Sequence, residues 1–334
     1  MNMKNVVLLC YGKEIEFKRT LFAVLSFWSW YENSKGDVRV IIYTDNPEYF
    51  KPYLVDFNVT YVLVPITEIE ESTKKSGLIY RFKISVIDKA FQQYPNEDVL
   101  YIDTDTFFIA NPQPLFNALV PGQSFMHLRE QTFEEMVEVY KWLNTATLDA
   151  QEFPRSFLRL IESKTYSVGG KQEQFNRMQH VWNAGVIGLP SSMRKLIPDV
   201  FALSDEFFLE TKWRISEQLA FTVVLNAASK IQPSGDVINH YWHYKDRVDP
   251  RLNELFTLGF KKLNKNRKLI AVRRTTQKLN KLIYHEQMMT NTKNYLREKD
   301  YKNGFRYAFK ALKGMPLNDD FVKIIKYRFS KVAS

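Results

Sequence analysis

Residues 98–108 of this 334-residue chain, DVLYIDTDTFF, constrain its fold more than any other segment. The apolar run over residues 99–102 is typical of a buried strand, and Asp103 and Asp105 follow it directly. Because residues i and i+2 of an extended chain point to the same side, the two carboxylates converge. An Asp-x-Asp segment also occurs in solvated turns, but here residues 107–109 are apolar again. Two carboxylates between buried segments need a cation, so the segment predicts a Mg²⁺ or Mn²⁺ site at the end of a strand.

The composition favours a folded domain in a reducing compartment. Hydrophobic residues make up 45% of the chain and aromatic residues 15%, which excludes a disordered or fibrous protein. The single cysteine, Cys10, allows no disulfide within the chain. The apolar run over residues 6–10 is shorter than the core of a secretory signal, and the run over residues 21–31 is too short to span a bilayer. We therefore expect a cytoplasmic protein.

The positive charge is concentrated in the last quarter of the chain. Residues 251–334 contain 21 Lys and Arg against 6 Asp and Glu, a net charge of +15, while the whole chain carries +10. Residues 1–250 therefore carry −5, and the tail is expected to contact a polyanion or to pack its apolar side on the remainder of the chain. No zinc, helix-turn-helix or stacking-sheet signature accompanies the charge, so an anionic membrane is favoured over nucleic acid.

The pattern of apolar residues predicts an α/β protein. Strands are predicted over residues 6–10, 38–43, 59–64, 98–102, 125–128 and 181–189. Helices are predicted over residues 17–31, 78–93, 133–143, 154–162, 191–210 and 217–228, with a loop over residues 167–171 and only helices beyond residue 250. Strands that alternate with helices form a mostly parallel sheet covered on both faces.

Further motifs occur in a fixed order around the Asp pair. They are Tyr80-Arg81-Phe82-Lys83, then Trp182-Asn183-Ala184-Gly185-Val186, then Ser216-Glu217-Gln218, then His240-Tyr241-Trp242-His243-Tyr244-Lys245. Their order resembles that of the GT-A glycosyltransferases, above all the retaining galactosyl- and glucosyltransferases of the lipopolysaccharide-synthesis and glycogenin type. The resemblance covers roughly residues 5–246. It implies a Rossmann-like GT-A catalytic domain over residues 1–250 and leaves residues 251–334 as a basic helical C-terminal region.

Two of these motifs depart from the family pattern. The family's Asp-Gln-Asp is here Glu217-Gln218-Leu219, and its C-terminal motif has Gly where this chain has His243. The motif's lysine, Lys245, stands five rather than six positions after His240, and no Pro-Trp follows.

The resemblance implies a metal centre that binds a diphosphate. Asp103, Asp105 and His240 would hold Mn²⁺ or Mg²⁺ against the diphosphate of a nucleotide sugar, with UDP as the expected nucleotide. An imidazole ligand favours Mn²⁺ over Mg²⁺. Because the histidine motif departs from the family, His243 is the alternative ligand. Both histidines are also compatible with packing in an aromatic cluster.

The resemblance also implies contacts to the phosphates. Lys245 or Arg247 would bind them, and Arg81 would reach the phosphate side of the site from its helix. Arg81 is equally compatible with a surface position on an amphipathic helix.

Four more residues would line the sugar side of the site. In the family, the segment with Asn183 and Gly185 lines the donor sugar and acceptor pocket, while Glu217 binds sugar hydroxyls and Gln218 lies near the anomeric carbon. The same pattern implies transfer with retention of configuration. Glu217 also fits the first turn of a helix after Ser216, where a carboxylate is favourable on structural grounds alone.

The nucleotide would extend toward the first two strands. Tyr11, after the first strand, is a candidate for stacking on the base, and Asp45, after the second strand, is a candidate for holding another nucleotide group. Both are also ordinary turn residues.

The sequence thus predicts a metal-dependent hexosyltransferase that acts from a nucleotide sugar on a glycan or lipid-linked acceptor, peripheral at the inner face of a membrane. One alternative is a nucleotidyltransferase, although residues 11–14 (YGKE) are a poor phosphate loop. The other alternative is a non-catalytic protein that binds a polyanion or a membrane.

Overall fold

The computed structural model of the protein describes residues 3–32, 36–141 and 150–314. The strands are β1 (Lys4–Cys10), β2 (Val38–Thr44), β3 (Val59–Leu63), β4 (Asp98–Ile102), β5 (Thr106–Phe108), β6 (Gln123–Met126), β7 (Arg129–Thr132), β8 (Tyr166–Val168), β9 (Lys171–Glu173), β10 (His180–Trp182), β11 (Val186–Leu189), β12 (Lys230–Pro233) and β13 (Ile238–His240). The helices are α1 (Glu14–Trp30), α2 (Pro47–Leu54), α3 (Ile66–Ser76), α4 (Arg81–Gln93), α5 (Gln113–Asn117), α6 (Phe133–Lys141), α7 (Glu152–Ser163), α8 (Ile197–Thr211), α9 (Ser216–Ala228), α10 (Lys245–Leu255), α11 (Leu258–Lys261), α12 (Lys265–Arg297) and α13 (Tyr301–Gly314). Short 3₁₀ turns cover Ser191–Leu196 and Trp242–Tyr244.

A seven-stranded sheet in the order β12-β6-β11-β4-β1-β2-β3 forms the centre of the molecule. Strands β4, β1, β2 and β3 are parallel to one another, and β12 is parallel to β6. Only β11 runs against its two neighbours, β4 and β6. The chain leaves β1 toward β2 on one side and returns to β4 on the other, and ligands bind at the carboxyl ends of strands where the order reverses in this way.

Side-chain alternation along the strands gives the sheet two apolar faces. On β1, Val6 and Leu8 pack with α1 and α12, whereas Val7 packs with α4, α8 and α9 on the other face. Because successive residues of a strand point to opposite faces, a run such as VVLL is suited to a sheet that is buried on both sides. The predicted α/β class, with a mostly parallel sheet flanked by helices, is confirmed.

Several predicted elements differ in detail from the structure. The predicted strand over residues 181–189 is two strands, because β10 pairs with β7 outside the main sheet and β11 pairs with β4 and β6 within it. The predicted loop over residues 167–171 is a hairpin, β8–β9, whose turn residues Gly169 and Gly170 both have positive φ. The predicted helix over residues 133–143 is described as far as Lys141, and its last two residues lie outside the described ranges.

The C-terminal region packs on the rest of the fold. Helix α10 runs across the predicted boundary at residue 250, and Val272, Leu279 and Ile283 of α12 are buried in the same apolar cluster as β1 and α1. The region thus differs from residues 1–250 in charge but shares their core, and residues 315–334 of the predicted tail lie outside the described part. Within the described residues, no helix has the length and hydropathy needed to cross a bilayer.

Candidate functional site

Two aspartates and one histidine meet beyond the carboxyl end of β4. One ligand atom each from Asp103, Asp105 and His240 lies within 4.8 Å of the other two. Asp103 and Asp105 come from the turn between β4 and β5, and His240 is the last residue of β13, which pairs with β5 opposite Thr106. The pairing of two short strands therefore brings the histidine to the aspartates.

Asn183 fixes the orientation of the His240 ring. The side-chain oxygen of Asn183 accepts the backbone N–H of Gly185 at 3.0 Å and faces Nδ1 of His240 at 2.9 Å. The backbone N–H of Gly185 can only donate, so the Asn183 atom that it contacts is the amide oxygen and not the amide nitrogen. An amide oxygen can only accept, so Nδ1 of His240 must carry the proton. The lone pair of neutral His240 therefore lies on Nε2, which is 3.2 Å from Oδ1 of Asp105.

Gly185 is required by this close approach. A Cβ atom at residue 185 would lie 2.2 Å from Nδ1 of His240, much closer than any van der Waals contact. The carbonyl of Gly185 also accepts the backbone N–H of Asp103 at 2.9 Å. Residue 185, directly before β11, therefore has no side chain because the ring of His240 occupies that space.

Asp105 is held as a carboxylate by two partners. Its side chain is 8% exposed, with Nζ of Lys245 at 2.8 Å and Nε2 of His240 at 3.2 Å. Burial alone would raise the pKa of Asp105, but His240 and Lys245 outweigh it and hold the pKa well below its ordinary value.

A buried lysine that the sequence analysis did not single out lies on the other aspartate. Nζ of Lys83, from the first turn of α4, is 3.1 Å from Asp103, from Glu217 and from the carbonyl oxygen of Ala184. Burial lowers the pKa of Lys83, but the two carboxylates outweigh it and raise the pKa above the ordinary value. Burial also raises the pKa of Glu217, which Lys83 partly offsets.

The remaining predicted residues on the sugar side are close neighbours of this group. The side-chain oxygen of Gln218 accepts the backbone N–H of Ala184 at 3.2 Å, so the start of α9 is tied to the segment between β10 and β11. The amide nitrogen of Asn183 donates to Glu130 of β7 at 3.2 Å. Glu130 was not predicted, and burial raises its pKa.

A second network of hydrogen bonds and ion pairs holds the turn that carries Asp103 and Asp105. The hydroxyl of Thr104 donates to Glu16 at 2.8 Å, and Glu16 is paired with Arg19 of α1. The Arg19 guanidinium is buried and also binds Asp249 of α10, with Nε 2.9 Å from the carboxylate. Because α10 begins at Lys245, Arg19 joins the aspartate turn to the helix whose first residue binds Asp105.

Tyr11 and Asp45 lie at the ends of β1 and β2. One oxygen of Asp45 accepts the backbone N–H of Gly12 at 3.0 Å, and the other is buried without a hydrogen-bond partner among the described residues. Tyr11 packs against the core, and burial raises its pKa to about 12. Because β1 lies beside β4, these residues share the edge of the sheet with the aspartates.

Three predicted cationic or metal-binding residues have other neighbours. Arg81 forms a two-point ion pair with Asp205, its second nitrogen at 2.9 Å, and its guanidinium lies over the ring of Phe201. Arg247 is 3.6 Å from Glu286. His243 lies at the surface, and partial loss of solvent around its ring lowers its pKa. The side chain two positions after Arg81, Lys83, is the cation that α4 brings to Asp103.

The geometry of the three predicted ligands fits a divalent cation. Oxygen and nitrogen ligands at about 2.1 Å from a metal lie about 3 Å apart when adjacent and about 4.2 Å apart when opposite, which matches a cluster within 4.8 Å. The Nε2 lone pair of His240 faces a carboxylate oxygen, so a second ring proton or a metal ion must lie between them. Two carboxylates and one imidazole form a donor set that suits Mn²⁺ and also accepts Mg²⁺.

Several solved glycosyltransferases are similar to this chain. The galactosyltransferase LgtC, solved in complex with donor and acceptor sugar analogues, is 15% identical with a TM-score of 0.44, over 75% of this chain and 94% of that one. Mouse xyloside xylosyltransferase 1 is 14% identical with a TM-score of 0.44, over 69% of this chain and 84% of that one. The glycosyltransferase GlyE of Streptococcus pneumoniae TIGR4 is 11% identical with a TM-score of 0.43, over 82% of this chain and 64% of that one.

The sequence itself matches no protein-family model, and no curated protein is significantly similar to it.

Proposed function

We propose that the protein is a metal-dependent glycosyltransferase that moves a hexose from a nucleotide sugar, with UDP as the nucleotide, to a glycan or lipid-linked acceptor. The observation that carries the proposal is the convergence of Asp103, Asp105 and His240 at the carboxyl end of β4, beside the point where the strand order reverses. A divalent cation bound there supplies positive charge that neutralises the departing nucleoside diphosphate.

The chain's own residues divide the proposed site into a phosphate side and a sugar side. Lys245 is 40% exposed and lies against Asp105, where it is placed to bind a phosphate oxygen as a point charge. On the other side, Asn183 and Gln218 frame the backbone at Ala184 and Gly185, the segment that we propose lines the sugar.

The nucleoside is proposed to extend along the same edge of the sheet. The oxygen of Asp45 that has no hydrogen-bond partner within the described ranges is an acceptor for a donor group of the nucleoside, and Tyr11 is a platform for its base. A buried carboxylate oxygen without a partner is costly, so a ligand that donates to it gains binding energy.

Retention of configuration is part of the proposal. Glu217 is the carboxylate that would be considered first as a general base. Its side chain is only 6% exposed and is paired with Lys83. Such a group does not reach an acceptor hydroxyl, which supports a mechanism in which the leaving diphosphate takes the acceptor's proton. If the product were inverted, Glu130 beside Asn183 would be the candidate base instead of Glu217.

A donor panel tests the proposed activity. UDP-hexoses are incubated with the protein and Mn²⁺, Mg²⁺ or a chelator, and the release of nucleoside diphosphate is measured. We expect release with Mn²⁺ and a fall of more than about 100-fold in Asp103→Asn or Asp105→Asn, with Asp88→Asn on α4 as the matched control. Near-normal turnover in either site variant would exclude the metal assignment, and release of hexose 1-phosphate, the leaving group when the nucleotide rather than the sugar is transferred, would identify a nucleotidyltransferase.

The stereochemical part of the proposal needs its own measurement. Proton NMR of the first product formed distinguishes an α- from a β-glycoside, because the anomeric coupling differs. Retention is the expected result, and an inverted product would exclude the proposed mechanism.

The proposed location is the cytoplasmic face of a membrane, with contact through the basic C-terminal region. The charge distribution supports this part of the proposal: residues 251–334 carry +15 and the remaining residues −5. Anionic lipids attract such a segment.

A further inference from the structure

Helix α12 has one face in the core and one face in solvent. It has 33 residues, which corresponds to a length of about 50 Å. Its buried face includes Val272, Leu279 and Ile283. A row of exposed residues runs along the opposite face, here called the basic strip: Arg267, Ile270, Arg274, Lys278, Lys281 and Tyr284.

The positive charge of the basic strip is not neutralised by nearby carboxylates of the described residues. The sequence contains no Asp or Glu between residues 261 and 285. Within the described part of the chain, none of the four cations of the strip takes part in a salt bridge, whereas Arg273, on the flank of the helix, is 3.6 Å from Glu32. Because these cations form no salt bridges, they can bind an anionic surface without breaking an existing ion pair.

Two large apolar side chains interrupt the cations. Ile270 is 52% exposed and Tyr284 is 43% exposed. At the interface of a bilayer, aliphatic and aromatic side chains enter the boundary between headgroups and acyl chains while neighbouring Lys and Arg bind lipid phosphates. A phosphate backbone alone offers no such environment, so the mixture favours a lipid surface over a nucleic acid.

The far end of the strip lies next to the candidate site. Asn280, one residue before Lys281, hydrogen-bonds to Asn239 at 3.1 Å, and Asn239 precedes His240 on β13. Glu286, two residues after Tyr284, lies 3.6 Å from Arg247 of α10. The strip therefore ends within about one helical turn of residues that contact the segments carrying His240 and Arg247.

We propose that the basic strip of α12 is the surface that rests on an anionic lipid bilayer, and that it places the active site beside an acceptor held in that bilayer. The first part of the proposal, binding to the bilayer, depends only on the observations of the basic strip. The second part rests on the proposed glycosyltransferase function.

Truncation is a poor test because α12 is part of the core. Removal of Val272, Leu279 and Ile283 would expose the apolar face of α1, so loss of binding and loss of fold would coincide. Substitutions confined to the solvent face of the full chain avoid this problem.

The test is co-sedimentation of the full chain with vesicles of phosphatidylcholine, alone or mixed with phosphatidylglycerol, over a salt series. The strip variant carries Arg274→Gln, Lys278→Gln and Lys281→Gln. The control variant carries Lys171→Gln, Lys195→Gln and Arg214→Gln, which are exposed cations on elements that pack against the other face of the sheet. Thermal unfolding checks that both variants remain folded.

We expect the parent chain to bind only vesicles with phosphatidylglycerol, and less as salt rises. Each cation near such a surface contributes about fivefold to binding, so the strip variant should bind on the order of 100-fold more weakly and the control variant normally. Equal weakening in both variants, binding to neutral vesicles, no binding by the parent chain, or binding to a single-stranded oligonucleotide in place of vesicles would overturn the proposal.

The same variants separate this inference from the proposed enzyme activity. Release of nucleoside diphosphate from a soluble donor should be unchanged in the strip variant. If the parent chain binds vesicles through the strip but shows no turnover with any donor, the glycosyltransferase proposal fails while the membrane surface stands.

Discussion

Replacement of Lys83 by methionine should destabilise the protein in a way that depends on pH. Nζ of Lys83 is the group that neutralises Glu217, whose side chain is only 6% exposed, and it also binds Asp103. Methionine keeps most of the buried volume but removes the charge. The cost of leaving one partner of a buried ion pair uncompensated is roughly 3–5 kcal/mol.

This loss of stability corresponds to a measurable shift in melting temperature. The entropy of unfolding is about 2.1 cal/mol/K per residue, which for 334 residues gives about 0.7 kcal/mol/K. A loss of roughly 3–5 kcal/mol should therefore lower Tm by about 4–7 °C. Lys89→Met is the matched control, because Lys89 pairs with Glu68 on the surface of α3 and α4 and such pairs contribute about 0–1 kcal/mol.

The sign of the pH dependence follows from the direction of the Glu217 shift. Burial already raises the pKa of Glu217 above its ordinary 4.5, and removal of Lys83 should raise this pKa further. A carboxyl that binds its proton more tightly in the folded state destabilises the fold increasingly as pH rises from the unfolded pKa through the folded pKa. The deficit of Lys83→Met should therefore be largest near neutral pH and shrink on acidification, and it should also shrink above the ordinary lysine pKa of 10.5, where Lys83 of the parent chain contributes progressively less.

Denaturant unfolding of the parent and variant chains over a pH series measures this deficit. The double variant Lys83→Met/Glu217→Gln should recover most of the lost stability, because it removes the uncompensated charge. A deficit below about 1 kcal/mol at neutral pH, or one that does not change with pH, would refute the reasoning.

Three further predictions concern how tightly the site binds Mn²⁺. His240→Ala should raise the Mn²⁺ concentration for half-maximal activity by about 10–100-fold while His243→Ala changes it little, and the reverse order would move the ligand to His243. Gly185→Ala should weaken Mn²⁺ binding, followed by electron paramagnetic resonance, at least about tenfold because the new Cβ displaces the His240 ring; unchanged binding would show that the ring is not a ligand. Arg19→Met should weaken Mn²⁺ binding more than Arg39→Met, which breaks a similar arginine–carboxylate pair at the opposite end of the sheet, and equal effects would contradict a positioning role for Arg19.

The local part of the site was predictable, because it depends on neighbours in the sequence. Asp103 and Asp105 follow an apolar run, and that pattern alone places them at the end of a strand. Lys83 could also have been recognised as a candidate from the sequence. It lies on the same helical face as Ile87 and Ala90, and a charged residue on a buried face needs a partner. Its neighbour Arg81 was the more prominent candidate only because a family motif contains an arginine there.

The features that could not be predicted depend on tertiary contacts. Arg81 binds Asp205 of α8, and no local pattern in α4 predicts that helix as its neighbour. The run over residues 181–189 is apolar apart from Asn183 and its two glycines predict a bend, but its division into β10 and β11 depends on which strands lie beside it. Helix α3 was missed because Ile66 and Ile69 are its only large apolar residues.

From the long-range pairing of the antiparallel strand β11, we expect the candidate site to form late in folding. Val186 pairs with Ile102 across a long stretch of chain, and this pairing brings Gly185 to Asp103. The partners His240 and Asn183 are themselves 57 positions apart. Contacts so distant in sequence form only after long loops have closed, and loop closure costs entropy before any contact is gained.

A partly folded chain would therefore present only the Asp103 and Asp105 pair to a metal ion. An ion that binds the complete set in the native state adds about 2.7 kcal/mol of stability at a concentration 100 times its dissociation constant. Protection of the chain by Mn²⁺ against unfolding would thus report the closure of the whole sheet, although the residues that bind the ion occupy only its edge.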